Sequence, residues 1–293
     1  MAVQILFSLN KILNIVTDQG VLLTKLIPNS LDDLVNLGYE IVIVDLGKEG
    51  DDFSECAFKT LKTGQIDIAI FHLPELNPVT PSNDLVISAL SERNSAQDCL
   101  VINENFYDPQ AELRLKAGAV VHVVTNIQAE QLKKLSPSIQ TSVSKSTLES
   151  LTDSVNSGEI HAAIIPKFMI DFSENRENSK IVNLHPKEMI PAPGQGTFAF
   201  VTHKENITLR KTLKTIHQKD VAEISNVERK VRQMLPSNDQ QNLAVHCYKD
   251  VTGNFHAVGS YLDQKTSTLK FAIHSQSTSE GLSEKIFHSL YHK

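Results

Sequence analysis

Cys56, Cys99 and Cys247 are the only thiols in the 293 residues, and a thiolate is the side chain best suited to covalent attachment or to holding a soft metal. Their number is odd and their spacing scattered. Neither a disulfide framework nor a thiolate metal cluster is indicated, and a reducing cytoplasm fits best. His288 and His292 stand four apart, a spacing compatible with two metal ligands on one helix, but no third ligand accompanies them. Histidine near a helix C-terminus is favoured by the dipole alone, so no metal site is expected. Gly194-Gln-Gly196 has the glycines of a phosphate loop, yet no helix follows, and a hinge crossing between domains explains them better. Lys249-Asp250 reads as a turn, and Ser136–Ser157 as solvated helix faces and their loop. No Ser/His/Asp arrangement has useful local context.

Charge narrows the classes of partner. Lys and Arg number 28 against 34 Asp and Glu, a net charge of −6, and only six of the 28 are arginine. A surface of that sign offers little to nucleic acid or any polyanion unless the positive groups are locally concentrated. Hydrophobic residues at 41% and charged residues at 21% exclude wholesale disorder. No stretch approaches the roughly 20 apolar residues of a membrane span. The apolar start, Met1–Leu13, is interrupted by Lys11 and has neither a basic leader nor a small-residue cleavage site, so it does not read as a signal peptide.

Strand-like and helical patterns alternate through the first two thirds of the chain. Strands are expected at Tyr39–Leu46, Ile66–Phe71, Val86–Leu90, Cys99–Ile102, Ala119–Val124, His161–Ile165 and Thr197–Thr202. Helices are expected at Phe53–Leu61, through Ile127, Leu132 and Leu135, and near Thr147–Val155. This alternation is the mark of α/β layers with parallel sheets. After about residue 205 the pattern changes. Val221, Ile224, Val227, Val231 and Met234 space an amphipathic helix, and Pro236–Gln241 reads as a polar loop. Three antiparallel strands are expected at Leu243–Tyr248, Phe255–Leu262 and Leu269–His274, with a closing helix through Leu282, Ile286, Phe287 and Leu290.

Several segments, taken in order, resemble the porphobilinogen deaminase (hydroxymethylbilane synthase) family. Pro191-Ala-Pro-Gly-Gln-Gly196 is similar to the family's P-A-x-G-Q-G, and Ile15–Leu23 to its opening I-x-T-R-x-S-x-L-A. Ile66–Ile70 resembles A-D-I-A-V, and Glu92-Arg93 with Asp98 resembles E-R-x-x-x-x-D. Gly158-Glu159 with Ala162–Ile165 resembles G-E-x-D-A-I-I-L. Gln131-Leu132, Pro137, Glu228-Arg229 and Ala244-Val245-His246 keep the same step. The resemblance implies two α/β domains, similar to periplasmic binding proteins, around a cleft, followed by a small C-terminal α+β domain. The boundaries that follow are 1–102 with 192–208 for domain 1, 103–191 for domain 2 and 209–293 for domain 3.

It also implies a chemistry. The family joins four porphobilinogen units head to tail on a dipyrromethane cofactor held by a cysteine thioether, releasing ammonia at each step. The substrate chain is a polyanion, so the cleft needs a carboxylate beside the pyrrole nitrogens and basic side chains for the substituents. In this sequence Glu75 falls at the family's catalytic aspartate, with Phe71, His72, Leu73 and Pro74 before it. Asp18 replaces the arginine that follows Thr17, a reversal of charge. Ile127 and Gln128 replace paired arginines, Gly50 and Glu55 replace lysines, Leu151 and Ile224 replace further arginines, and Lys145 alone stays positive. The cofactor cysteine aligns with Asp239, which cannot form a thioether. Cys247 is the nearest thiol, but using it shifts the alignment by eight positions into an expected strand.

The expectation is therefore a cytoplasmic, three-domain family member without hydroxymethylbilane synthase activity. It would hold no cofactor and bind an unknown small molecule or protein partner. Thr17, Asp18, His72, Lys145 and Gln195 are the remaining cleft candidates. A divergent active synthase using Glu75 and dipyrromethane, a small-molecule-binding protein of another pathway, and a protein pairing with an active paralogue are the alternatives. Neither nucleic acid nor a membrane is an expected partner, and nothing in the sequence requires more than a monomer.

Overall fold

The computed structural model describes residues 11–18, 23–46, 53–76, 83–144, 148–171 and 178–291. Lys145, Gly50, Arg176 and His292 lie outside them. Two compact units are present, one built from residues 1–93 and 197–221, the other from 94–196 and 222–293.

The first unit is a five-stranded sheet. Its strands are β1 (Lys11–Thr17), β2 (Tyr39–Ile43), β3 (Ile68–His72), β4 (Leu85–Leu90) and β10 (Phe198–His203), in the order β2-β1-β3-β10-β4. β3, Ile-Ala-Ile-Phe-His, is buried at every position, which is why it reads as an unbroken apolar run rather than an alternation. Helices α1 (Leu23–Leu26), α2 (Pro28–Asn36), α3 (Phe53–Thr63) and α7 (Ile207–Ile216) accompany it. α2 starts on Pro28, whose missing N–H costs nothing in a first turn. α7 is capped by Asn206, whose Oδ1 accepts the N–H of Leu209.

The second unit holds the sheet β7-β6-β8-β5-β9, made of β5 (Asp98–Asn103), β6 (Val120–Val123), β7 (Gln140–Val143), β8 (Ala162–Pro166) and β9 (Ser179–Asn183). Alternate residues of β5 and β8 serve opposite faces. Leu100, Ile102 and Ile164 join the core under α4 (Asn126–Leu135), while Cys99, Val101 and Ile165 join the core under α5 (Leu148–Ser157). A short helix, α6 (Lys167–Asp171), follows β8. The antiparallel sheet of β11 (Leu243–Lys249), β12 (Phe255–Asp263) and β13 (Thr268–Gln276) belongs to the same unit. One face packs on α8 (Lys219–Met234) and α9 (Leu282–Tyr291) through Val227, Val231, Val245, Ala257 and Ile286. Part of the other face meets α4 and the segment after β9 through Ala244, Val258, Leu262, Ile127 and Ile190. The α+β module thus has its own core and shares a second one with the α/β sheet beside it.

Three expectations need correction. The sheets are mixed rather than parallel, because β10 runs antiparallel to β3 and β4, and β5 runs antiparallel to β8 and β9. The boundary after residue 102 falls inside the second sheet, since Asp98–Asn103 is its strand β5. The boundary at 209 falls inside α7, which stays with the first sheet: Tyr39 Oη lies 3.2 Å from Thr212 Oγ1, and Leu90 donates its N–H to His217 Nδ1 at 3.0 Å. The alternation of strand and helix and the three-stranded meander with its closing helix stand as expected.

Candidate functional site

In the first unit the candidate groups gather at the carboxyl edge of the sheet. β1 and β3 are parallel, with Thr17 opposite Ile70, so Asp18 after β1 and Leu73–Glu75 after β3 leave from the same edge. Open α/β sheets bind ligands at such edges. The 3-10 turn Leu73–Glu75 is pinned by the N–H of Leu73 donating to Thr197 O at 2.8 Å. Pro74 fits its first positions without loss of a hydrogen bond. His72 is buried against Phe198, ring centroids 5.5 Å apart, and its Nδ1 lies 3.6 Å from Glu75 Oε1. The Glu75 side chain is 46% exposed, a carboxylate presented to solvent beside an imidazole. Thr17 is buried and Asp18 exposed.

In the second unit Gln195 is buried and spoken for. Its Nε2 donates to Asp98 Oδ1 at 2.7 Å and to Ala96 O at 2.9 Å. Asp98 is 1% exposed, and burial pushes its carboxyl up to about 6 against the opposing hydrogen bonds of Gln195 and Gln128. Gln128 stands in the first turn of α4, where its Oε1 accepts the N–H groups of Val124 and Thr125 in a capping box with Thr125. A second buried carboxylate, Glu228 of α8, is 0% exposed and accepts the N–H of Gly194 and of Cys247, each at 2.7 Å. The chain at 194–196 is therefore fastened to β5 and α8.

Asp239 lies in the 3-10 segment Ser237–Asn242. Its Oδ2 accepts the Tyr291 hydroxyl at 3.2 Å. Tyr261, whose ring meets Tyr291 edge-on at 5.4 Å, is pushed up to about 12 by burial and then by the Asp239 charge. Cys247 is 0% exposed in the core between β11 and the helices, and Cys99 is equally buried with its Sγ 3.2 Å from Ile165 O. Cys56 is half-buried on α3.

Between the carboxyl edge of β6 and β7 and the same 3-10 segment is a cavity of about 370 Å³, lined by Thr125, Asn126, Val143, Ser144, Gln241 and Asn242. Asn242 is 1% exposed; its Oδ1 accepts from Gln264, and its Nδ2 has no partner among the described residues. Every named lining side chain is uncharged. Among the described residues no three His, Cys, Asp or Glu are placed to hold a metal ion.

Residues 43–211 match the family model for porphobilinogen deaminase, dipyromethane cofactor binding domain, which is more than half of the chain. The chain belongs to the porphobilinogen deaminase family. It is 26% identical over 222 residues to the porphobilinogen deaminase of Nostoc sp., covering 74% of this chain and 66% of that one. To that of Exiguobacterium sp. it is 23% identical over 201 residues, 68% and 64% of the two chains. In both, the match spans just under two thirds of the relative. Among solved structures the VFT2 domain of BvgS from Bordetella pertussis aligns at 18% identity and a TM-score of 0.42, over 74% of this chain and 90% of that domain.

Glu75 stands on a turn at a sheet edge, and Asp18 leaves the neighbouring strand from the same edge. Gln128 brings an amide, not a cation, to the buried Asp98. Asp239 is hydrogen-bonded to Tyr291. These partners were not legible in the sequence, where Asp239 and its tyrosines sit on separate elements.

Proposed function

We propose that this chain is a porphobilinogen deaminase family member that does not assemble a tetrapyrrole and binds a less anionic small molecule. The observation that carries the reading is Asp239, an aspartate hydrogen-bonded to Tyr291 where the sequence resemblance would put the cofactor cysteine. No other thiol takes its place readily: Cys247 and Cys99 are fully buried, and Cys56 belongs to the first unit. Charge supports the same conclusion. Asp18 puts a negative group where carboxylates of the substrate would be held, and Gln128 supplies no positive one. The cavity beside Asn242 has neutral polar walls suited to a ligand with a carbonyl or single carboxylate oxygen.

Incubation with porphobilinogen tests the reading. The expected result is no consumption and no ammonia release above the rate in buffer; consumption with release of ammonia contradicts it. The second reading, a divergent active synthase, rests on Glu75, which keeps a solvent-facing carboxylate 3.6 Å from His72. In that case Glu75→Gln abolishes porphobilinogen consumption.

A further inference from the structure

The three-stranded sheet places side by side three residues that neither candidate edge uses. Tyr248 of β11 pairs with His256 of β12, and His256 with Ser275 of β13, so the three stand in one row on one face. The Tyr248 and His256 rings are stacked at 4.9 Å. His256 Nδ1 is 2.7 Å from Ser275 Oγ, and its Nε2 is 2.9 Å from Asp250 Oδ2. Asp250 is fixed in turn: its Oδ1 accepts the N–H of Thr252 and of Asn254, each at 2.9 Å, and the Thr252 hydroxyl at 2.7 Å. The His256 contact first, then these donors, hold its carboxyl well below the usual carboxylate range.

The protonation pattern follows. An ionised carboxylate only accepts, so the neutral imidazole carries its proton on Nε2, and Nδ1 keeps the lone pair. Nδ1 then accepts the Ser275 O–H, which is the arrangement of a nucleophile, a base and a group that orients the base. Ser275 is exposed and lies on an edge strand, which leaves backbone N–H groups facing away from β12. Ile273, two residues earlier on the same face, is 69% exposed. The approach to Ser275 thus offers an apolar side chain beside the His256 ring.

We propose that Ser275 is an activated nucleophile that accepts acyl groups from uncharged esters with a small apolar acyl part. His256 is its general base, and Asp250 is the positioning residue that selects the tautomer. Ser275 Oγ bonds to the ester carbonyl carbon as its proton passes to His256 Nδ1. The bond to the leaving oxygen then breaks, and that oxygen takes the proton from His256. Water reverses the sequence, releasing the acid and restoring Ser275. The inference is independent of what the cavity beside Asn242 binds.

The test uses the full chain and an uncharged alkyl fluorophosphonate, with the adduct located by peptide mass mapping. A single adduct on Ser275 is expected, formed about 100-fold faster than on the heat-unfolded chain, lost in Ser275→Ala and slowed about 10-fold or more in His256→Ala. Hydrolysis of p-nitrophenyl acetate falls about 10-fold or more in Ser275→Ala. Nitrogen chemical shifts of the His256 ring report the Nε2-protonated tautomer in the native chain and its loss in Asp250→Asn. No adduct, an adduct on another serine, labelling indifferent to His256→Ala, hydrolysis unchanged in Ser275→Ala, or a ring protonated on Nδ1 overturns the proposal. Mapping the adduct on the unmutated chain keeps it decidable should a variant fail to fold.

Discussion

Asp98 is a carboxyl group shut away from water with two glutamine amides, of Gln195 and Gln128, beside it. Burial raises its folded value to about 6 from an ordinary 3.8, so folding takes up a proton between those values. The stability this group gives in acid is fully present below pH 4, is lost as pH rises through about 6, and changes no further above. At 1.36 kcal/mol per pH unit the displacement corresponds to about 3 kcal/mol. Asp98→Asn keeps an acceptor for Gln195 and removes the ionisation. Urea unfolding is expected to show the variant equal to the parent near pH 4 and about 1–3 kcal/mol more stable at pH 8. A variant whose advantage over the parent does not grow between pH 4 and pH 8 contradicts the assignment. Asp239 is legible in sequence as a missing thiol, but its second role is not, because Tyr261 and Tyr291 come from β12 and α9 and only folding brings them together. Tyr291→Phe removes the 3.2 Å hydrogen bond to Asp239 Oδ2 and is expected to cost about 1 kcal/mol in the same assay; an unchanged midpoint contradicts that tie. Ser275, His256 and Asp250 were hidden for the same reason. They lie on separate strands and a turn, and only the register makes them neighbours.

Among the elements, the segment before β10 shows how far pattern reaches. Gly196 has a φ of +80°, and a Cβ there would stand 2.6 Å from Asn94 O and 3.0 Å from Ser95 O. Both the backbone conformation and the space require glycine. Gly196→Ala is expected to destabilise the chain by about 2 kcal/mol or more, read as a lower urea midpoint; an unchanged midpoint contradicts the close approach. The glycines themselves marked a crossing in the sequence, because no helix followed them. β3, β5, β8 and β10 were legible as apolar runs, being buried on both faces. β7 and β9, Gln-Thr-Ser-Val and Ser-Lys-Ile-Val-Asn, were not, since edge strands carry polar residues that pattern reading treats as loop. α7 escaped because its segment follows the last α/β strand and its partners, Tyr39 and Leu90, lie far back in the chain. Strand direction escaped too, for nothing local distinguishes a strand that enters a sheet backwards.

For the whole molecule, a net charge of −6 says little until it is assigned to particular positions. In the function proposed above, Asp18 and Gln128 stand where the sequence resemblance would put arginines, and Asp239 where it would put the cofactor cysteine. The scaffold is retained: two α/β sheets, a glycine crossing fastened by Asp98 and Glu228, and a third sheet with its own core. No described helix is long and apolar enough to cross a membrane. The central claim is that this frame carries no covalent pyrrole primer. Intact-mass spectrometry of the denatured protein, expressed in a cell that makes tetrapyrroles, tests it most directly. The account requires the mass of the unmodified 32.5 kDa polypeptide; an excess equal to one covalently attached dipyrromethane contradicts it.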